Sequence, residues 1–562
     1  MSSDDDDGSR RLAKIINQRK RCRQNIVFKL FDRQYGSSTN VHPFIKNNKL
    51  YQNLVPNFSV ESVERPNCYF RKFTNDGRYL MGFSADATSV ELYQYKGASE
   101  ANELMSTISS IDTDSLRPSV ENTTIRHRLF NCFFKHKHSI KVATSNQLFV
   151  RDCCLFTDDN RYMIVLSINI SNDSINSFYE RYQNNESISI NSRNLEDYDF
   201  MLIDIDQGKI TDTIKINCDK IFGTFNHGIY LYKNLFAILS IQHQSIYLFH
   251  LLPTGKFVFA QKIGRFCCEG DEVIYNNSLR NEGKSSRVNS VPAFREKSFN
   301  SLKHRILVFA FKRAQRLCEK YGSKQPLLEF YRDFDNYANL RLWKIQLIDE
   351  QHILMKYEQK KFLINKMEVN NHLKLLNLFV LYNWKKAEVF NIYSQSSPIL
   401  MKAYENYFDF FRQTSMTSNA SISFFNNDQI KMFLFNKINS TRHVLATLPQ
   451  TAQSFIVSPY LDSSLFLYDD RLISFNEKPC LNSDMPIRFF DRTTGRLVFR
   501  LHTGQQYLVR LFQPNTFRKM INFIFHPTDP LIISIQRLNS FQYLHFHFRH
   551  FNPIASEEPI ST

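Results

Sequence analysis

Three groups of residues in this 562-residue chain carry side chains able to do chemistry, and each has a plainer reading. His545 and His547 stand two apart near the end of the sequence, with His550 beyond them. Histidines at i and i+2 of a strand point to the same side, as metal ligands must. Phe546, Phe548 and Phe551 interleave with them, so a strand with one polar and one buried face is the simpler expectation, and no metal site is assigned. Gly283-Lys284-Ser285 has the tail of a phosphate-binding loop, but Ser278 stands where the first glycine must shape the cradle. Cys153-Cys154 and Cys267-Cys268 are vicinal pairs and not Cys-x-x-Cys spacings, so they read as small buried hydrophobes. No His-Glu-x-x-His, Gly-x-Gly-x-x-Gly or Gly-x-Ser-x-Gly run occurs. The expectation is a non-catalytic chain without a cofactor.

The N-terminal arm says more. Residues 1–9, with Asp4 to Asp7, read as a disordered acidic start. From Arg10 to Phe31, Leu12, Ile15 and Ile16 share one helical face, Arg11, Lys14, Arg19, Lys20, Arg21 and Arg23 surround it, and Ile26, Val27, Leu30 and Phe31 follow. Residues 10–54 therefore read as a basic amphipathic helical arm. Its stripe can bury itself only by docking, either on a partner or back on its own domain. The docking candidates are Arg11, Leu12, Ile15, Ile16, Arg19, Ile26, Leu30 and Phe31. Arg19, Lys20, Arg21 and Arg23 also suit a nuclear localisation signal.

The elements that must carry such an arm repeat. Phe73-Thr-Asn-Asp-Gly-Arg-Tyr-Leu80 recurs as Phe156-Thr-Asp-Asp-Asn-Arg-Tyr-Met163, and more weakly at Leu467 to Leu472 and Phe525 to Leu531. Asp-Gly and Asp-Asn tolerate the positive φ of tight hairpins. A second hairpin type, apolar strand then Gly then base, occurs at Leu202 to Ile210, Leu251 to Phe257 and Phe490 to Leu497. The fold expected over residues 55–562 is mainly β, a WD40-like β-propeller of about seven or eight divergent blades with inserted helices; a sandwich is the alternative. Phe73 and Phe156 should lie about two blades apart. Ser, Asn and charge mark loop insertions at 97–124, 171–197 and 269–300. Helical insertions are read at about 300–320, from Leu302, Ile306, Phe309, Arg313 and Leu317, and at about 398–448, from Leu400, Tyr404, Tyr407, Phe408 and Phe411.

Composition bounds the rest. A net charge of +17 favours acidic partners, and 43% hydrophobic residues allow a substantial core. Ten cysteines without a compact framework, and an N-terminus without an apolar leader, point to a reduced intracellular protein. The uncharged run Asn234 to Leu252 is interrupted by Gln242, His243 and Gln244, so two strands and a polar turn are expected, not a membrane span.

In blocks such as Val55-Pro-Asn-Phe58, Arg71 to Tyr79, Leu155-Phe-Thr-Asp-Asp159, Gly228 to Asn234, Ile263-Gly-Arg-Phe-Cys267, Asn300 to Arg305, Leu340-Arg-Leu-Trp-Lys344, Ser458 to Asp462 and Pro486-Ile-Arg-Phe489, the chain closely resembles the De-etiolated family over nearly its whole length. The resemblance implies a substrate-receptor subunit of a cullin-4 RING ubiquitin ligase. Implied partners are the damage-specific DNA-binding protein 1 adaptor, a small adaptor-associated protein, a ubiquitin-conjugating enzyme or its inactive variant, and the Constitutive photomorphogenic RING protein, with proteasomal degradation of transcription regulators as the outcome. It places the adaptor contact in the arm and the protein in the nucleus, with a cytoplasmic pool also compatible. A propeller that binds chromatin, core histones or nucleic acid in transcriptional repression is the alternative.

Overall fold

The computed structural model describes residues 58–97, 129–143, 147–170, 186–187, 195–223, 227–273, 299–359, 377–394, 397 and 399–400, then 466–467, 480–481, 487–491, 497–501, 520–527, 529, 531–538 and 541–548. The acidic start, the arm and all of the 398–448 segment but its first residues lie outside them. After β1 (Phe58–Glu64), the strands β2 (Cys68–Phe73), β3 (Tyr79–Ser84), β4 (Ser89–Tyr95) and β5 (Phe134–Lys141) pair in chain order as an antiparallel sheet. The same meander follows in β6 (Leu148–Phe156), β7 (Tyr162–Ile170), β8 (Glu196–Asp204) and β9 (Lys209–Asp219), and again in β10 (Ile229–Tyr232), β11 (Leu235–Ser240), β12 (Ser245–Leu252) and β13 (Lys256–Ile263). Residues 269–273, in the 269–300 stretch read as a loop, are helical, and α1 (Ser301–Tyr321), α2 (Gln325–Arg332) and α3 (Phe334–Ala338) follow before the fourth meander of β14 (Leu340–Leu347), β15 (His352–Gln359), β16 (Asn377–Asn383) and β17 (Glu388–Ser394). Beyond it, β18 (Phe466–Leu467), β20 (Ile487–Asp491) and β21 (Leu497–Leu501) form a fifth sheet. The last sheet holds β19 (Cys480–Leu481), β22 (Met520–Phe525), β23 (Leu531–Leu538) and β24 (Phe541–Phe548), and β1 completes it by pairing antiparallel to β24.

Strand alternation shows why this is a propeller and not a sandwich. In β3, Tyr79, Met81 and Phe83 pack in one core with Met163, Val165 and Phe156 of the second sheet, while Leu80 joins Ile533 and Phe546 of the last sheet in another. In β6 and β7, Cys153, Leu155, Ile164 and Leu166 face the third sheet, whereas Cys154, Phe156, Met163 and Val165 face the first. The first three sheets are thus each covered on both faces by neighbouring sheets, which a two-sheet sandwich does not do. The third and fourth sheets share one core through Ile238, Leu248, Leu342 and Val380. Burial falls across the third blade: β11 is buried throughout, while in the outermost β13 only the last residue, Ile263, is buried. Six sheets lie within the described residues; the expectation of about seven or eight blades concerned the whole chain.

Four local readings change. The hairpins at Phe73 and Phe156 sit in adjacent sheets, one blade apart, because the stretch between β4 and β5 lengthens the first blade. The histidine strand β24 has no solvent face: β1 and β23 flank it, and His545 and His547 are as buried as Phe546 and Phe548. Its polar face is satisfied internally, with His547 Nε2 3.0 Å from the Ser534 hydroxyl. Cys153, Cys154 and Cys267 are buried as expected, but Cys268 is exposed. Residues 171–197, read as a loop, supply the first residues of β8 and a buried acid, Glu186. Asn234 to Leu252 is β11, a buried polar turn and β12, and no helix among the described residues is long and apolar enough to cross a membrane.

Candidate interaction surface

The first hairpin turns of the first and second blades are organised by their own side chains. Asp76 accepts from the Thr74 hydroxyl and from the Arg78 N–H, and the Tyr79 N–H returns to Thr74 Oγ1 at 3.1 Å. Thr157, Asp159, Arg161 and Tyr162 repeat the arrangement, with Tyr162 N 3.0 Å from Thr157 Oγ1. Gly77 and Asn160 take the positive φ that the turn requires, +77° and +56°. The turns then bond to one another. The Asn75 N–H donates to Asn160 Oδ1 at 3.1 Å, His526 Nε2 donates to the Gly77 carbonyl at 2.9 Å, and Lys233 pairs with Glu350 at 2.6 Å. The tyrosines opening β3 and β7 reach the outer hairpin of the next blade: Tyr79 to Asp206 at 3.2 Å and Tyr162 to the Pro253 carbonyl at 2.9 Å. The result is a rigid edge of linked turns.

The helical insert forms a contrasting surface on the fourth blade. Asn300 caps α1 by accepting from the Lys303 N–H at 2.8 Å, and Gly322 ends it at a φ of 64°. One face of α1 lies along the outer strand β17, where Arg305 donates to the Ala387 carbonyl and Arg313 to the Ile392 carbonyl, each at 2.9 Å. Phe330 of α2 packs on Phe311 of α1 and on Tyr337 of α3, with both centroid separations 5.8 Å. Between α1, α2 and β17 a cavity of about 460 Å³ remains, lined by Ile306, Ala310, Ala314, Leu317, Phe330 and Ile392. Leu328 and Tyr331 of α2, outside it, and Tyr321 of α1, in its lining, are exposed by half or more. Large apolar side chains on one helix pair, beside a cavity lined by both apolar and charged residues, suit protein docking.

What holds the insert is ionic. Lys303, 4% exposed, donates to Glu186 at 3.0 Å, to the Leu340 carbonyl at 3.0 Å and to the Ala338 carbonyl. Arg341 at the start of β14 reaches the same Glu186 oxygen at 2.5 Å. Burial pushes the Lys303 ammonium down to about 8, with Glu186 opposing the shift and Arg341 adding to it. At Asp271, burial raises the carboxyl, but the Ser301 hydroxyl, the Cys267 N–H and Arg305 outweigh it and hold it low. Nearer the third blade, Asp219 is fully buried between Ser240 Oγ at 2.7 Å and the Lys220 N–H at 2.6 Å, and burial raises its carboxyl to about 6.

All the docking and localisation candidates from Arg11 to Phe31 lie outside the described residues. Sequence reading missed Glu186, Lys303 and Arg341. Asn300 ahead of an apolar stripe announced the helix start, but nothing in the sequence tied a glutamate in a Ser/Asn-rich stretch to that helix. Among the described residues no group of three or more His, Cys, Asp or Glu is placed to hold a metal ion.

Solved structures similar to this chain include the C-terminal WD40 domain of Sif2, 6% identical with a TM-score of 0.24 over 87% of this chain and 97% of that one, and the Dos1 propeller, 8% identical with a TM-score of 0.19 over 72% and 84%. Among curated proteins, the light-mediated development protein DET1 of Arabidopsis thaliana is 29% identical over 91% of this chain and 96% of its own length. Its namesake in Solanum lycopersicum is 27% identical over 93% and 99%. The family profile De-etiolated protein 1 Det1 matches residues 151–550, from the inner strand of the second blade past the last strand β24. With a match over most of its length and relatives aligned nearly end to end, the chain belongs to the De-etiolated protein 1 family.

Proposed function

We propose that this protein is a non-catalytic scaffold and substrate-receptor subunit of a cullin-4 RING ubiquitin ligase, acting in the nucleus. The observation that carries the reading is membership of the De-etiolated family along nearly the full chain. The propeller is the platform. The arm from Arg11 to Phe31 docks on the damage-specific DNA-binding protein 1 adaptor. The blades and the helical insert present a ubiquitin-conjugating enzyme or its inactive variant, the small adaptor-associated protein and the Constitutive photomorphogenic RING protein. The light-mediated development role named for the plant relatives fits regulated removal of transcription factors.

The deciding experiment is a binding assay between the full chain and purified adaptor. Each fully buried apolar side chain of the stripe contributes about 1.5–3 kcal/mol, so Leu12→Asp, Ile15→Asp and Ile16→Asp together should weaken binding by several orders of magnitude. The propeller should melt as before. Unchanged adaptor binding by the triple variant removes the arm as anchor, and turnover of ubiquitin, ester or nucleotide substrates by the isolated chain overturns the non-catalytic reading.

The net charge of +17 favours a second reading, a chromatin- or histone-binding propeller. Tight DNA binding without the adaptor, falling by roughly 10³–10⁵ between about 50 and 200 mM salt, would promote it.

A further inference from the structure

The first four sheets each end in an outer strand, β5, β9, β13 or β17, that pairs with one neighbour alone. Such an edge leaves alternate backbone N–H and C=O groups without a ladder partner. In three of these strands, side chains bond to the backbone. Asp212 accepts from the Thr213 N–H of β9 and from the Phe257 N–H of β13, both at 2.8 Å. In β17, Asn391 Oδ1 accepts from the Ile392 N–H at 2.8 Å, and Arg313 of α1 donates to the Ile392 carbonyl at 2.9 Å.

The strand β5 differs. Among the described residues, its side-chain bonds run to Glu91, Tyr79 and the Asp206 carbonyl, and no side chain bonds to its own backbone. The Val142 N–H donates to the Thr88 carbonyl, so ladder alternation turns the backbone groups of Ile140 and His138 toward β4 and those of Lys141 and Ser139 away from it. At the other end the Lys96 N–H donates to the Phe133 carbonyl, which turns Lys135 inward and Phe134 and His136 outward. The side chains along this open edge carry one sign. Lys135, His136, Lys137 and Lys141 are exposed, and the strand contains no acid. Lys135 and Lys141 form no ion pair among the described residues. His138 Nε2 lies 2.9 Å from the Asp206 carbonyl of the second blade, which fixes the strand in place before anything binds.

An open strand edge is a template for another strand. Lysines on it repel a second copy of the same strand and favour one that carries carboxylates, because unlike charges across a strand pair stabilise it and like charges do the reverse. We propose that β5 is an interaction surface that takes an acidic, extended segment of a protein partner as a fifth strand of the first blade. The segment's backbone pairs with the outward groups of Ser139 and Lys141, and its carboxylates meet Lys135 and Lys141. A DNA duplex can contact the lysines but has no row of N–H and C=O groups to match the edge, which disfavours nucleic acid. The surface is separate from the arm and stands without the ligase reading.

The test uses the full chain and a fluorescently labelled twelve-residue peptide of alternating Glu and Thr, read by anisotropy at low salt. The peptide should bind, and its Gln-Thr counterpart should not. Methylating alternate backbone nitrogens of the acidic peptide keeps its charge and blocks strand pairing, and should weaken binding by about tenfold or more. Lys135→Gln and Lys141→Gln together should weaken it by about tenfold and leave thermal melting unchanged, since both side chains are exposed. The methylated peptide is tested on the unaltered protein, so that arm decides even where the double variant melts lower. Equal binding of the methylated peptide would mean charge attraction without strand addition. That result, wild-type affinity in a double variant that melts normally, or preferential binding of a DNA duplex would each overturn the assignment. So would a tenfold gain in peptide affinity when Asp4, Asp5, Asp6 and Asp7 are all changed to Asn, because the chain's own acidic start would then be the occupant.

Discussion

Two regions of this propeller hold neighbouring elements together with polar side chains, and they do so by opposite means. Along the edge of linked hairpin turns, partners within each turn are two to five residues apart in sequence: Thr74, Asp76 and Tyr79, or Thr157, Asp159 and Tyr162. The bonds between turns are neutral or solvent-facing. Under the helical insert, the partners are Glu186, Lys303 and Arg341, drawn from three distant segments, charged and withdrawn from water. A turn bond that is lost can be replaced by water. A buried charge that loses its partner cannot be hydrated without opening the structure. The insert should therefore be the more sensitive region to single substitutions, although it has fewer polar links.

The strongest break in that comparison is Glu186→Ala. It strands two cations, one of them nearly inaccessible, and removing one partner of a buried pair costs about 3–5 kcal/mol. Denaturant melts should show that loss, and hydrogen exchange should place the earliest opening in α1. Replacing Glu186 and Lys303 together by Leu and Met should restore most of it, because the pair is no better than apolar packing. A loss below about 1 kcal/mol for Glu186→Ala would show that water reaches the site and that the two regions do not differ in kind.

Asp219 sharpens the same contrast through pH. Its carboxyl is raised to about 6, first by burial, against the Ser240 hydroxyl, the Lys220 N–H and the charge of Lys262; His243 nearby is pushed down to about 4 by burial and by Lys262. A folded-state value above the unfolded one means that the native protein binds the extra proton. Its contribution to stability is present at low pH, declines from about pH 4 and is fully lost above about 6. Asp219→Asn should accordingly match the wild type near pH 4 and exceed it by on the order of 2 kcal/mol at pH 7. Melting temperatures across that range check it, and a gain that does not vary with pH would mean that packing and not ionisation sets the difference.

A glycine pair isolates the turn edge. Gly77 and Gly322 both adopt positive φ, but a Cβ at Gly77 would come within 2.3 Å of the His526 ring, whereas at Gly322 nothing lies within 4 Å. Gly322→Ala should cost about 1 kcal/mol, from the backbone alone. Gly77→Ala should cost roughly 2–4 kcal/mol, since His526 must also move and surrender its bond to the Gly77 carbonyl. Equal losses at the two sites would show that the last blade is not fixed to the first through this turn.

Much of the turn edge could be read from the chain, and the region beneath the insert could not. Thr-x-Asp-Gly-Arg-Tyr specifies its own hairpin because every partner is within five residues, so periodicity and turn chemistry suffice. The same locality made the blade spacing misleading: two copies of a turn say nothing about how much chain is inserted between the third and fourth strands of one blade. Phe546 and His547 alternate as a half-exposed strand should, yet β24 is interior because β1, from the other end of the chain, pairs with it. Glu186 sits in a stretch whose composition reads as solvated, and only the folded chain brings it beneath Lys303.

The smallest effect is expected where a tyrosine hydroxyl crosses between blades. Tyr162 donates to the Pro253 carbonyl at 2.9 Å, and its ring fills the space left by Gly255, where a Cβ would lie 2.9 Å away. Tyr79 donates to Asp206 at 3.2 Å and accepts from Lys137 at 2.9 Å. Tyr162→Phe keeps the ring and the close fit to Gly255 and deletes one hydrogen bond to a carbonyl that solvent can reach, so it should cost about 0.5–1 kcal/mol. Tyr79→Phe removes a hydroxyl that bridges an acid and a base at a partly exposed site, where the freed charges can pair or hydrate, and a similar loss is expected. The two hydroxyls serve different blade seams and share no partner, so the double variant should lose the sum of the single losses to within about 0.5 kcal/mol. Denaturation of the four proteins gives that coupling directly. A coupling well above this bound would mean that the seams open together, and the turn edge would then be a cooperative belt and not a row of independent bonds.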